Sequence, residues 1–81
     1  MALFAITLRE EESDNGVTVP LHASSQRKAI PQAVARLESE LRFNNQRVPN
    51  FKIARVSTQY GYSQVWVKTL LGMWVREGKF R

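Results

Sequence analysis

The sequence has no cysteine and only one histidine, and its glycines and prolines are few and scattered. Without cysteine, no disulfide supports the fold and no thiolate is available to hold zinc. A lone His22 does not make a catalytic set, and no serine stands in a Gly-x-Ser-x-Gly setting. The four glycines are isolated, so a glycine-rich phosphate loop is missing. We therefore expect a protein that is not an enzyme and that has no catalytic residues, no bound metal and no cofactor.

Long hydrophobic runs are also missing. The apolar stretch from Leu70 to Val75 falls far short of the roughly 20 residues that a membrane-spanning helix needs. The apolar start, Ala2 to Leu8, lacks the basic leader of a secretory signal. The chain has 81 residues, of which 43% are hydrophobic, enough for one core. We expect a single domain over residues 1–81, cytoplasmic and not bound to a membrane.

Negative charge is scarce in the second half of the chain. Residues 1–41 contain four basic and six acidic residues, whereas residues 42–81 contain eight basic residues and one acidic residue, Glu77. The net charge of +5 is therefore concentrated in the second half. A surface with this density of positive charge attracts polyanions, of which nucleic acids are the commonest. The expected partner is nucleic acid or a nucleoprotein complex; the oligomeric state is left open.

The first quarter of the chain predicts a β-hairpin. From Leu3 to Arg9 and again from Val17 to Ala23, apolar residues alternate along the chain. Between them, Asp14, Asn15 and Gly16 form a turn signal, since Asn and Gly tolerate positive φ. Pro20 cannot donate to a β-ladder, so the second strand should be an edge strand, or the proline nitrogen should point outward.

A helix and a third strand are predicted next. Ile30, Val34, Leu37 and Leu41 recur at helical spacing and should pack on Phe4, Ile6, Val17 or Val19. Ser24 and Ser25 are both candidate caps. Because Pro31 is tolerated best in a first turn, regular helix is expected to begin near Ile30. Phe51 to Thr58 alternates again and predicts a strand.

Residues 63–77 fit two patterns. As a helix, they place Gln64, Lys68, Gly72 and Arg76 on one stripe between Ser63 as a cap and Gly78 as a stop. As a hairpin, they place Val65, Val67 and Val75 at alternating positions on one face of the strands, and the chain turns at Gly72. The two caps favour the helix. The predicted fold is α+β: a small antiparallel sheet with a β-β-α-β core, one packed helix, and a C-terminal helix or hairpin.

Basic and aromatic residues are interspersed between Lys52 and Lys68, a mixture that holds phosphates and stacks on bases. The tryptophans of this region, Trp66 and Trp74, are expected to be buried, because so small a core needs large aromatic side chains. The predicted partner-binding residues are Lys52, Arg55, Tyr60, Tyr62, Gln64, Lys68, Arg76 and Lys79.

Two resemblances accompany these patterns. Residues 56–79, with Gly61 at a turn, Ser63 as a cap and the run Trp74 to Lys79, resemble the recognition region of helix-turn-helix and winged-helix proteins. That likeness implies a DNA-binding transcriptional regulator. In length and β-β-α-β order, the chain is similar to small phage and mobile-element proteins, including anti-CRISPR proteins. This second likeness implies an inhibitor that docks on a nucleic-acid-handling complex.

Overall fold

The structure, a computed structural model, describes residues 2–77 and contains five strands and one helix in this range. The elements are β1 (Ala2–Arg9), β2 (Val17–Ala23), α1 (Gln26–Phe43), β3 (Ile53–Thr58), β4 (Ser63–Lys68) and β5 (Trp74–Arg76). The strands form one antiparallel sheet in the order β2-β1-β3-β4-β5. The predicted α+β class and the β-β-α-β core are confirmed. Within the described range, α1 is not apolar enough to span a membrane.

The core lies between α1 and one face of the sheet. Its largest fully buried side chains are Ile6, Leu8, Ile30 and Val56. The predicted helical stripe is confirmed in part, since Leu37 is buried with Ile30 and the other two positions pack at its margin. Of the four strand residues named as possible partners of this stripe, Phe4, Ile6 and Val19 are buried, whereas Val17 is 46% exposed at the start of β2. The buried set is Phe4, Ile6, Leu8, Val19, Ala23, Ala29, Ile30, Ala33, Leu37, Phe51, Ala54, Val56, Trp66 and Trp74.

The helix begins earlier than the sequence predicts. Ser25 has the extended backbone of an N-cap, and its Oγ accepts a hydrogen bond from the Lys28 amide at 3.2 Å. Regular helix then runs from Gln26, with Pro31 on its exposed side. The expected start near Ile30 is wrong. Pro31 removes only one backbone donor, and the cap together with the burial of the first turns outweighs that loss.

Residues 63–77 form a β-hairpin, so the preference for a helix is wrong and the alternative is confirmed. Val67 pairs with Val75, and the chain turns at Gly72, whose φ is +87°. The Gly72 amide donates to the Thr69 carbonyl at 2.9 Å, and the Thr69 amide donates to the Met73 carbonyl at 2.8 Å. A helix-turn-helix arrangement would need a second helix here, and α1 is the only one that the structure shows between residues 2 and 77.

Strand β2 lies at one edge of the sheet, as Pro20 predicted. Pro20 faces Ala5 at the middle of the β1–β2 ladder. Its carbonyl accepts a hydrogen bond from Arg36 Nη1 of α1 at 3.1 Å. The residue therefore has no amide hydrogen to offer an added strand, and its carbonyl is already bonded.

The antiparallel order gives the molecule two chemically different ends. One is called the helix-start end. It contains the cap and start of α1 (residues 24–28) and the β3–β4 turn (residues 58–63), which lie at the same end of the sheet because Phe4 pairs with both Leu21 and Thr58. At the opposite end, called the acidic end, lie the β1–β2 loop with its four carboxylates (residues 10–16), the segment 44–52 and the β4–β5 turn (residues 69–73).

Candidate nucleic-acid interface

A cleft opens at the helix-start end, between the first turn of α1 and strands β4 and β5. Its volume is about 300 Å³. It combines a hydroxyl, two side-chain amides, two guanidinium groups and an indole, all on the face of the sheet that carries α1. The lining residues are Ser25, Gln26, Arg27, Gln64, Trp66 and Arg76.

Trp66 contacts three of the other residues that line this cleft. Its side chain is buried, and its Nε1–H donates to Gln26 Oε1 at 3.0 Å, which ties β4 to the first turn of α1. The Arg27 guanidinium carbon lies 5.6 Å from the centre of the indole ring, and that of Arg76 lies 5.8 Å from it. Both distances fall within the range of a cation–π contact. The indole therefore brings together two cations that are far apart in the sequence.

Among residues 2–77, no carboxylate lines the cleft. The ion pairs among residues 2–77 are Glu38–Arg42 at 3.8 Å and Glu10–Arg47 at 3.2 Å, and neither includes Arg27 or Arg76. The first turn of α1 also has no acidic residue, so the partial positive charge of the helix N-terminus is not neutralised there. With two guanidinium groups and no neutralising ion pair among the described residues, the cleft attracts anions.

The β3–β4 turn presents two aromatic rings at the same end of the molecule as this cleft. The side chains of Tyr60 and Tyr62 are 79% and 75% exposed, so they contribute little to the core. The turn is held by Thr58, whose Oγ1 accepts from the Tyr60 and Tyr62 amides at 3.3 and 3.2 Å. Gly61 takes a φ of +96°, which glycine adopts without a steric penalty. The two rings are thus displayed to solvent on a braced turn.

The predicted partner-binding residues divide into three groups. Gln64 and Arg76 line the cleft, and Tyr60 and Tyr62 lie at the same end. Arg55 is exposed on the sheet face that α1 does not cover, since its neighbours Ala54 and Val56 point into the core. Lys52 and Lys68 lie at the acidic end and do not join them. Lys79, the last of the predicted residues, lies outside the described residues.

Sequence reasoning missed Ser25, Gln26 and Arg27. Arg27 belongs to residues 1–41, which have more acidic than basic residues, although the fold brings it to Arg76 of the basic half. The available signal was the run Gln26 to Lys28, which follows the serine cap directly. Both tryptophans are buried, as predicted.

A cleft at the acidic end has the opposite character. Its volume is about 340 Å³, and it is lined by Glu10, Glu11, Glu12, Ser13, Asn50 and Lys52. Its glutamates repel phosphate. The hydrogen bond from Arg47 lowers the pKa of the Glu10 carboxyl from its ordinary value, so this carboxylate stays charged. No group of three acidic or histidine side chains suited to a metal ion is found in the part of the chain that the structure describes.

The chemistry open to the helix-start end is recognition of an anion next to a planar ring. Guanidinium groups donate in a fork that matches a phosphate, and exposed tyrosines stack on bases. Comparisons with protein-family models, with curated proteins and with solved structures found no match.

Proposed function

We propose that this chain is a cytoplasmic, non-enzymatic binding protein that recognises nucleic acid through its helix-start end. One observation supports this above the others. Arg27 and Arg76 converge over Trp66 in a cleft that no carboxylate of the described residues lines, and Tyr60 and Tyr62 are exposed at the same end.

Each part of this surface has a role in the proposal. The two arginines contact backbone phosphates, and contacts of this kind provide most of the affinity for a nucleic acid. Gln64 and Gln26 add hydrogen-bonding groups next to them. The tyrosines contact bases. The net charge of +5 accelerates the encounter, while the carboxylates at the far end orient the protein with its helix-start end toward the polyanion.

The test is fluorescence anisotropy of labelled DNA and RNA across a salt series. We expect the logarithm of affinity to fall linearly with the logarithm of salt, at about −0.9 per duplex phosphate neutralised or about −0.7 for a single strand. Arg76→Gln should weaken binding and flatten the slope by about one contact. Arg42→Gln removes the same charge from an exposed site at the C-terminal end of α1 and serves as the matched control.

The two variants separate a specific surface from general charge. Equal losses for Arg76→Gln and Arg42→Gln would show that only net charge matters and would reject the helix-start end as the interface. Absence of binding to any nucleic acid at low salt would reject direct recognition altogether.

A second candidate function is inhibition of a nucleoprotein complex by docking on one of its proteins, as the likeness to small phage and mobile-element proteins implies. The β4–β5 turn favours it. Leu70 and Leu71 are 98% and 88% exposed there, and Met73 is 55% exposed. Clustered exposed apolar side chains mark protein–protein contacts.

The docking candidate predicts a different set of effects. Free nucleic acid would not bind, Arg76→Gln would slow association with the complex, and Leu71→Ser would speed dissociation from it. A pull-down from host cells identifies the complex, and surface plasmon resonance with the purified complex then measures both rates. A helix-turn-helix regulator is not proposed, because the residues of its expected recognition helix form β4 and β5.

A further inference from the structure

We infer that the ligand of the helix-start end is single-stranded nucleic acid, with a backbone phosphate in the Arg27–Arg76 cleft and bases stacked on Tyr60 and Tyr62. This inference rests on the proposed nucleic-acid binding and specifies the form of nucleic acid that is bound.

The tyrosines provide the first reason. In a duplex, the face of each base is covered by its neighbours, so an aromatic side chain cannot stack on it without disrupting the helix. Unpaired bases offer their faces freely, and stacking on aromatic side chains is how single strands are commonly held. Two neighbouring rings that are at least three-quarters exposed are arranged for such stacking.

The shape of the surface provides the second reason. Sequence is read in a duplex by a helix or a β-ribbon that enters the major groove, which is about 12 Å wide. At the helix-start end, the arginines instead line a recess of about 300 Å³. Arg27 and Arg76 are held over an indole that is only 3% exposed. A recess of this size suits one phosphate group of a flexible strand better than the rigid ridge of a duplex.

The spacing along β4 connects the two features. Tyr62 precedes Ser63 at the start of the strand, and Trp66 lies four residues further along. At about 3.3 Å per residue, the tyrosine and the indole are roughly 13 Å apart along the backbone. A strand of a few nucleotides can therefore reach both the tyrosine and the two arginines that lie over the indole. The bonds to Thr58 and Gln26 fix the turn and the indole beforehand, which reduces the entropy lost on binding.

The experiment compares four labelled probes by anisotropy: oligo-dT, oligo-U, a duplex of the same length, and an abasic strand that keeps the phosphates but has no bases. We expect both oligonucleotides to bind more tightly than the duplex and the abasic strand. Tyr62→Ser should weaken oligo-dT binding about 5- to 100-fold and leave the abasic strand unaffected. Phe43→Ser, which removes an aromatic ring that is 88% exposed at the far end of α1, is the matched control.

A spectroscopic measurement checks that the cleft itself is occupied. In isotope-labelled protein, the Trp66 indole N–H signal, identified in a Trp74→Phe variant, should shift when oligo-dT is added. In the Arg27→Gln variant, the shift should require more ligand.

The outcomes distinguish this inference from the proposed function. Duplex binding as tight as oligo-dT binding, with no loss in Tyr62→Ser, would overturn the inference and leave nucleic-acid recognition intact. A Trp66 signal that does not move while oligo-dT binds would also overturn it, because the phosphate would then lie elsewhere. Binding only to a protein partner, with no probe bound, would overturn both.

Discussion

The two hairpins of this small sheet differ in the side chains that they turn toward α1. The β1–β2 hairpin has seven paired positions, and the side chains that it turns toward α1 are apolar in both strands. The β4–β5 hairpin has three paired positions, and toward the same side it presents polar and aromatic residues in alternation. These are Gln64, Trp66, Lys68, Trp74 and Arg76.

The position of α1 explains the difference. The helix packs over β2, β1 and β3 and contacts β4 through the hydrogen bond between Gln26 and Trp66. Strands beneath the helix must be apolar, because their side chains are removed from water. Strands beyond it need only enough apolar surface to anchor them, which the two tryptophans provide. The remaining positions of the second hairpin are free to carry polar and charged groups.

The largest expected effect tests this division with one chemical change at two sites. Leu37→Ala, beneath the helix, should reduce the free energy of unfolding by about 2–5 kcal/mol in urea titration, because it leaves a cavity in the core. Leu71→Ala, at the tip of the second hairpin, should change it by less than about 0.5 kcal/mol. Similar losses at both sites would mean that the tip belongs to the core and that the contrast is false.

A smaller effect is expected at the turn of the second hairpin. Gly72→Ala should destabilise by about 1–2 kcal/mol, because a φ of +87° is unfavourable for a residue with a Cβ. Apart from Gly72 and its two chain neighbours, no atom of the described residues lies within 4 Å of the added Cβ, so backbone strain is the expected cause. Gly72→Asn should restore part of the loss, since asparagine tolerates positive φ. Thermal unfolding followed by circular dichroism measures both, and stabilisation by alanine would contradict the hairpin.

The smallest expected effect concerns the start of the helix that separates the two hairpins. Ser25→Ala should cost about 1 kcal/mol of stability, because the Lys28 amide loses the cap oxygen. Ser24→Ala is the control, since Ser24 is exposed and lies outside the capping position. Urea titration of the pair measures the difference. Equal effects would mean that the cap is assigned to the wrong serine.

Periodicity alone predicted the first hairpin and the helix, because their patterns fit one structure each. Alternation over Leu3 to Arg9 is incompatible with a helix, and the stripe through Ile30 and Leu37 is incompatible with a strand. The second hairpin could not be predicted in this way. Gln64, Lys68, Gly72 and Arg76 are four residues apart, a spacing that keeps residues on one face of a strand and also near one face of a helix.

The candidate site was only half predictable from the sequence. Gln64, Arg76 and the tyrosines were found because basic, polar and aromatic residues are close together in the second half of the chain. Arg27 is 49 positions before Arg76 in the printed sequence, and no local pattern connects them. Their meeting depends on β1 pairing with both β2 and β3, which places the start of α1 alongside β4. Such long-range pairing is set by the whole fold and is not encoded in any short window.

The edge at β2 has a consequence for how copies of the chain behave when crowded together. Fibril growth by strand addition needs an unbroken row of backbone donors and acceptors as a template. In β2 the row is interrupted at its midpoint, where Pro20 has no donor and Arg36 occupies its carbonyl. A strand from a neighbouring molecule can therefore find no continuous register along this side. This single residue and its arginine partner protect the β2 side of the molecule against amyloid-like stacking.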